Sequence, residues 1–149
     1  MRRGAFVIGL VMLGLVGGAL AAKEAKRAIV QQRVSELKWS EVAPGVPIVE
    51  APVWQGPGGS HCVFDKFPRG FAEPEHFHTH DIHAIVIEGR WGSGLPGAPE
   101  QLVAPGGYQL IPGGLKHTTK CAPDVDCVVY VCLPGAFDVK GLPPEPKKK

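Results

Sequence analysis

The stretch that decides the fold runs from Gly70 to Gly89 and reads Gly-Phe-Ala-Glu-Pro-Glu-His-Phe-His-Thr-His-Asp-Ile-His-Ala-Ile-Val-Ile-Glu-Gly. Four of the six histidines of the chain lie in this stretch, at His76, His78, His80 and His83. A dense group of imidazoles is typical of a metal site, because structural histidines in a protein core usually occur singly. The stretch therefore predicts a metal centre carried by strands and the turn between them.

The composition around this stretch is that of a single small β domain. A chain of 149 residues has room for one modest core, and its 20 glycines and 15 prolines separate short runs of Val, Ile and Leu. The formal charge of +2 includes Arg2 and Arg3, without which 14 basic residues face 14 acidic ones. A neutral domain gives no reason to expect nucleic acid as a partner.

Eight short strands are predicted after Pro44, with turn signals between them. They are Pro47–Val53, His61–Phe67, Phe71–His78, His83–Glu88, Gln101–Val103, Tyr108–Ile111, Lys116–Lys120 and Cys127–Leu133. The glycine-rich connection between Gly89 and Pro99 is expected to be irregular. The pattern predicts an all-β sandwich or barrel over residues 44–138, with a frayed Pro/Lys tail at 139–149.

The N-terminal segment has the features of an export signal. Two arginines precede an uncharged apolar stretch, and the small-residue triplet Ala19-Leu20-Ala21 predicts a signal peptide over residues 1–21. The alternative is an uncleaved anchor, since the stretch approaches the ~20 residues that span a bilayer. Both alternatives place the domain in the periplasm or outside the cell, with membrane contact only through an uncleaved segment.

Residues 22–43 are interpreted as a short amphipathic helix or tether. Apolar side chains recur at spacings of three and four at Ala25, Ile29, Val30, Val34 and Leu37. No chemistry is assigned to this segment.

Strand geometry sorts the histidines into different roles. His76 and His78 are two residues apart, so they project from the same face of one strand. If Thr79 to Ile82 forms the turn, His83 opens the returning strand and shares an inward face with Ile85 and Ile87. His117 follows the Pro112-Gly113-Gly114 turn and supplies a further donor. His80 is interpreted as an exposed turn residue and His61 as a hydrogen-bonded histidine of the barrel wall.

Two spaced motifs resemble those of the cupins, small β-barrels that hold a metal ion inside. In the first motif Gly70, His76, His78 and Gly89 occupy the expected places, with His83 where a glutamate is usual. In the second, Gly106, Pro112, Gly114 and His117 match, and Cys121 replaces an asparagine.

The resemblance implies a cupin jelly-roll β-barrel of the RmlC-like kind and a divalent transition metal as cofactor. It implies ligation by His76, His78 and His117, and His83 is expected to act as the fourth ligand. Imidazole ligands suit zinc, iron, copper and nickel, and the sequence does not choose among them. Because free histidine titrates near ~6.5, metal loss is expected below about pH 6.

Four cysteines suggest two disulfide bonds in an exported protein. Cys121 and Cys127 flank a short loop, so one bond is expected between them and the other between Cys62 and Cys132. The competing interpretation leaves Cys121 as a free thiol near the site.

The expected function is that of an exported metalloenzyme acting on a small organic molecule, with dioxygenase-like oxidation as the leading reaction. One alternative is a non-catalytic module that binds a metal or small ligand for storage, sensing or delivery. Another is a hydrolase or isomerase that uses zinc-bound water. The sequence is also compatible with a homodimer.

Overall fold

A computed structural model describes residues 29–141 as two antiparallel β-sheets packed face to face. Short 3-10 turns occur at Val34–Glu36 and Pro57–Gly59. No helix in this part of the chain has the length and apolar character needed to cross a membrane. The all-β architecture expected from the strand pattern, and the jelly roll that the resemblance implied, are confirmed.

The larger sheet has six strands in the order β1-β2-β3-β10-β5-β8. Their bounds are Ser40–Glu41 (β1), Val49–Gln55 (β2), His61–Phe67 (β3), Cys127–Leu133 (β10), Ile82–Glu88 (β5) and Tyr108–Ile111 (β8). The smaller sheet has four strands in the order β4-β9-β6-β7. Their bounds are Ala72–His76 (β4), His117–Cys121 (β9), Trp91–Gly94 (β6) and Gln101–Val103 (β7).

Alternate residues of the strands face the space between the sheets and form the core. Buried apolar residues of both sheets meet there: Val63, Phe67, Ile82, Ala84, Val86, Trp91, Ile111, Val129, Val131 and Leu133. Phe67 lies against Trp91 with ring centroids 5.8 Å apart, and this contact joins the two sheets. The core leaves an open cavity next to the histidines of β4 and β9, and Phe67 and Trp91 form part of its wall.

The strand over Trp91–Gly94 was not expected, because its glycines were interpreted as part of an irregular connection. A Cβ on Gly92 would lie 2.0 Å from the carbonyl oxygen of Gln101, so only glycine allows β6 to pair this closely with β7. A glycine inside a strand often marks such a close approach of two backbones.

The short amphipathic helix or tether expected over residues 22–43 is described only from Ile29 onward, and its helical alternative is wrong for residues 29–39. From Ile29 to Trp39 the chain forms only the 3-10 turn Val34–Glu36, and both Ile29 and Val30 are exposed. Without a burying partner, an apolar spacing of three and four does not by itself stabilise a helix. The expected signal segment and the end of the tail lie outside the described residues.

Two disulfide bonds join Cys62 to Cys132 and Cys121 to Cys127. The first links paired positions of β3 and β10 within the larger sheet. The second links the end of β9, in the smaller sheet, to the start of β10, in the larger one. No free cysteine occurs among residues 29–141, so Cys121 is not the thiol that the competing interpretation required.

Candidate metal centre

Three histidines converge on one point at the open end of the jelly roll. His76 is the last residue of β4 and His117 the first of β9, and the two are paired across the strands. His78 follows two residues after β4. All three are buried, and one nitrogen of each lies within 4.8 Å of the corresponding nitrogens of the other two.

Backbone carbonyls fix the orientation of the three rings. The Nδ1 atoms of His76 and His117 lie 2.8 Å and 2.9 Å from the carbonyl oxygens of Pro74 and Leu115. His78 makes the same kind of contact with the carbonyl oxygen of Asp138. A carbonyl only accepts, so each Nδ1 carries the proton and donates it, which leaves the Nε2 lone pairs free.

The free Nε2 atoms fit a metal ion. The buried Nε2 of His117 has no hydrogen-bond partner among the described residues, and a buried polar atom without a partner is costly. Histidines that ligate a metal through one nitrogen generally donate the other N–H to a carbonyl or carboxylate. The three-histidine group can therefore hold a transition metal ion.

Burial also keeps these rings neutral. It lowers the pKa of His76, His78 and His117 below the ordinary value of histidine, for His78 to about 4. In each case the loss of solvation is the largest cause, and the hydrogen bond to a backbone carbonyl opposes it. Neutral imidazole is the ligating form, so the ligands are ready for metal at and below neutral pH.

A carboxylate accompanies the histidines at a place the motif did not indicate. Oε2 of Glu73, three residues before His76, lies 3.4 Å from Nε2 of that histidine. Because the proton of His76 is on Nδ1, these two atoms are both acceptors unless a proton or a cation lies between them. Burial raises the pKa of the Glu73 carboxyl, and the charge of His117 opposes that rise.

His83 does not belong to the group, and its expected role as a ligand is corrected. The residues of β5 that face the core are Ile82, Ala84 and Val86, whereas His83 is exposed on the outer face. Its Nδ1 lies 2.8 Å from the hydroxyl of Tyr108 on the neighbouring strand.

The error arises because the residues of β5 that face the core are shifted by one position from the expected ones. Asp81 accepts a hydrogen bond from the backbone of Gly113 at 2.7 Å, which joins the turn before β5 to the turn after β8, and β5 begins at Ile82. Ile82 is therefore the buried residue where the first cupin motif has its glutamate, with six residues between it and Gly89. A one-residue change of register moves every side chain to the other face.

The two remaining histidines lie outside the metal group. His80 is half-buried in the turn after β4, where its ring packs against Gly135. His61 lines the cavity from β3, and its Nδ1 lies 2.8 Å from the carbonyl oxygen of Gly59.

The cavity in front of the histidines has a volume of about 290 Å³. That is close to the lower end of the roughly 300–1,000 Å³ typical of ligand pockets. Its walls are mainly apolar: Val42, Ala43, Val46, Ile48, Val63, Phe67, Ile82, Trp91, Ile111, Val131, Leu133, Phe137 and Val139. Carboxyl groups of Glu50, Asp65 and Glu73 interrupt these walls.

A segment after β10, residues 137–140, holds His78 in place. Asp138 accepts hydrogen bonds from the backbone N–H of Thr79 at 2.8 Å and from its hydroxyl at 2.6 Å. These bonds hold the pKa of the Asp138 carboxyl well below its usual range, helped by Lys140. The ring of Phe137 lies against that of His78 with centroids 5.2 Å apart.

Replacing Asp138 with asparagine is expected to weaken zinc binding by about 10-fold to 100-fold, the usual effect of disturbing a ligand's supporting contacts. The amide cannot accept both bonds from Thr79, so the carbonyl that orients His78 becomes less fixed. Competition with a chromophoric chelator measures the affinity. Asp124→Asn at an exposed ion pair with Arg90 is the matched control, and equal affinities of the two variants would contradict the assignment.

Comparisons with known proteins agree with this architecture. The family model that matches covers residues 52–142 and describes a domain of unknown function, DUF4437. No curated protein matches the chain.

Several solved structures share the fold. The polyketide cyclase RemF from Streptomyces resistomycificus is 22% identical with a TM-score of 0.65, over 80% of this chain and 90% of that one. A protein with a cupin-like fold from Ralstonia eutropha JMP134 is 24% identical with a TM-score of 0.62, over 76% and 77%.

KdgF from Halomonas sp. is also 24% identical, with a TM-score of 0.55 over 68% of this chain and 92% of that one. At these identities the likeness concerns the fold. The matching family model and the shared jelly roll together show that this chain is a member of the DUF4437 family with the fold of the cupins.

Proposed function

We propose that the protein is a metal-dependent enzyme that acts on a small, largely apolar organic molecule bound in the barrel cavity. The observation that carries this proposal is the convergence of three free Nε2 atoms beside an apolar cavity of about 290 Å³. A site with three protein ligands leaves coordination positions for a substrate, whereas closed four-ligand sites are typical of structural metals.

In this proposal His76, His78 and His117 hold a divalent zinc, iron, copper or nickel ion. When bound, the ion supplies a Lewis acid that polarises an oxygen of the substrate. The chain's own contribution is to fix the imidazoles through three backbone carbonyls and to exclude water with its apolar walls.

Glu73 is proposed to place a carboxylate beside the three histidine ligands, in place of the motif glutamate that Ile82 replaces. Its Oε2 lies 3.4 Å from the ligating nitrogen of His76, so an ion bound there meets a carboxylate from the same strand. One negative charge would lower the net charge of a bound divalent ion to +1 and strengthen its retention.

Replacing Glu73 with glutamine is expected to weaken zinc binding by about 10-fold, an effect of the size found for groups beside metal ligands. Glutamine keeps the shape of the Glu73 side chain but removes its negative charge. Calorimetric titration with zinc measures the change. Glu75→Gln, at an exposed ion pair with Lys116 on the same strand, serves as the control. An unchanged affinity of the Glu73→Gln protein would remove Glu73 from the site.

Two kinds of reaction fit the site. The first is proton transfer at a metal-bound substrate, as in isomerases and lyases, and it is supported by the carboxyl groups that line the cavity. The similar fold of the polyketide cyclase RemF further supports the first kind. The second is dioxygenase-like oxidation, and the outward position of His83 favours it, because three ligands leave more open positions than four.

The experiment that tests the proposal begins with metal analysis of the full chain purified from an oxidising compartment. The loaded protein is then incubated in D₂O with a panel of small carbonyl, hydroxyl and carboxyl compounds, followed by NMR and by an oxygen electrode. Conversion of a compound that occurs only with the metal present supports the proposal of a metal-dependent enzyme. Oxygen uptake would identify oxidation, and deuterium incorporation without oxygen uptake would identify proton transfer. Firmly bound metal with no conversion of any compound would favour a binding module.

We also propose that the protein works outside the cytoplasm. The support is its two disulfide bonds, which are typical of oxidising compartments. The proposal includes the domain organisation expected from the sequence. This is a signal peptide at residues 1–21, a helix or tether at 22–43, the β domain at 44–138 and a tail at 139–149. Peptide mapping of the exported protein for a new N-terminus near Ala22 tests cleavage, and an intact Met1 would contradict it.

A further inference from the structure

Two carboxyl groups lie side by side on the cavity wall opposite the histidines. Glu50 of β2 and Asp65 of β3 are directly paired across the strands, and both line the cavity. Both strands belong to the larger sheet, whereas His76 and His117 are on strands of the smaller one. A molecule in the cavity therefore lies between the metal-binding histidines and this pair of acids.

Nothing in the described part of the chain compensates the charge of the pair. No lysine or arginine lines the cavity, and neither acid takes part in an ion pair or side-chain hydrogen bond within residues 29–141. The other titratable groups that face the cavity are His61 on β3 and, from the smaller sheet, Glu73, His76, His78 and His117. On β10 the paired neighbour of Asp65 is the apolar Val129.

Two adjacent acids without a cation do not both ionise at neutral pH. Burial, and to a smaller extent the nearby charge of Glu50, raises the pKa of Asp65 to about 7. Like charges in a poorly solvated site retain a proton, as two carboxylates do when they share one site. The geometry supports a retained proton on Asp65, because the two acids are paired side by side on a mainly apolar wall and bringing both charges there is costly.

We propose that Glu50 and Asp65 share one proton at neutral pH and exchange it with the bound substrate, as the acid–base pair of a proton-transfer reaction. The inference rests on the proposed function for the substrate, but the shared proton itself does not depend on a metal. It favours isomerisation or elimination over oxidation as the reaction of the cavity.

The step balances within the substrate. The O–H bond of Asp65 breaks as a new C–H or O–H bond forms on the substrate, which leaves two negative charges on the pair. The pair then takes a proton from another atom of the same substrate, whose bonding electrons form the new double bond or expel the leaving group. The electrons only move within the substrate, so the reaction needs no oxidant.

Infrared difference spectroscopy of the full, metal-free chain tests the shared proton without a substrate. The expected result is a protonated carboxyl band that persists at pH 6, has its midpoint near neutral pH and is lost above it. The band is absent from the Asp65→Asn protein and titrates at lower pH in the Glu50→Gln protein. The Glu88→Gln protein, changed at an exposed position, keeps the wild-type band. A wild-type protein whose carboxyl groups are all ionised at pH 6 would overturn the proposal.

Zinc binding distinguishes this inference from the proposed function. The Asp65→Asn protein is expected to bind zinc as the wild type does, while its conversion rate in the D₂O experiment falls at least about 100-fold, the usual contribution of a general acid or base. Full conversion by that variant would overturn the catalytic role. A wild-type protein that binds no zinc, but shows the carboxyl band, would refute the proposed function and leave the shared proton standing.

Discussion

Replacing His117 with alanine is expected to reduce zinc affinity by more than about 100-fold. Structural zinc sites bind with roughly 10–16 kcal/mol, so one ligand of three carries about 4 kcal/mol when the energy is divided equally. His117 is 2% exposed and its Nε2 has no other partner among the described residues, so nothing nearby replaces it. Competition with a chelator measures the affinity, and near-ultraviolet circular dichroism shows that the variant folds.

His83→Ala is the matched control for this loss. That histidine is exposed on the outer face of β5 and contacts Tyr108, so its removal is expected to leave zinc affinity unchanged. A His83→Ala protein as defective as His117→Ala would show that the site is built differently. A His117→Ala protein with wild-type affinity would contradict the three-histidine site.

The pH dependence of metal binding should also depart from the behaviour of free histidine. Burial lowers the pKa of all three ligands, so protons compete with the metal only at a lower pH than usual. The pH of about 6 inferred from free histidine for metal loss is therefore too high. We expect zinc to be retained at pH 5.5, and dialysis at stepwise lower pH followed by metal analysis measures the midpoint.

Replacing Asp65 with asparagine is expected to stabilise the metal-free protein by up to about 4 kcal/mol at pH 8. The pKa of Asp65 rises from 3.8 in the unfolded chain to about 7 in the folded one. Between these values the unfolded state loses its proton and the folded state keeps it, so stability falls as pH rises. Each pH unit costs about 1.4 kcal/mol over a span of about 3 units.

The difference between the two proteins is the quantity to measure, because the buried histidines change stability in the opposite direction below pH 6.5. Urea denaturation at pH 4, 6 and 8, with chelator present, should give a difference that grows from near zero at pH 4. Glu88→Gln, at an exposed position, should give no such trend. A difference that is constant with pH would contradict the raised pKa.

Much of the fold could be predicted from the sequence, because turn residues separate its short strands. The bounds of His61–Phe67, Gln101–Val103, Tyr108–Ile111 and Cys127–Leu133 were predicted as the structure has them. The strand Trp91–Gly94 was missed since Gly92 and Gly94 look like loop residues. Their role depends on a neighbouring backbone that is distant in sequence, which local patterns do not reveal.

Part of the candidate metal site could also be predicted from the sequence. The spacing of His76, His78 and His117 matched two motifs, and the structure brings these three together. The position of His83 depended on a register that apolarity could not decide, because Ile82, Ala84 and Val86 are as apolar as Ile85 and Ile87. The spacing from Gly89 was the available signal, and it indicated Ile82.

The places of Glu73 and Asp65 beside the cavity were not predicted. Glu73 lies between Gly70 and His76, at a position that the motif leaves unspecified, and only the fold brings its carboxyl to His76. Asp65 meets Glu50 through the pairing of β2 with β3, across 14 intervening residues of sequence. An isolated carboxylate in an apolar strand was the signal that could have drawn attention to Asp65.

The bond between Cys121 and Cys127 gives the cavity a redox dependence. It joins the strand that begins with His117 to a strand of the sheet that carries Asp65. Reducing it would remove a covalent link between the wall that carries His117 and the wall that carries Asp65, while β3 and β10 would still be held by their own hydrogen bonds. Thiol reductants in a purification buffer would then loosen the geometry of the cavity.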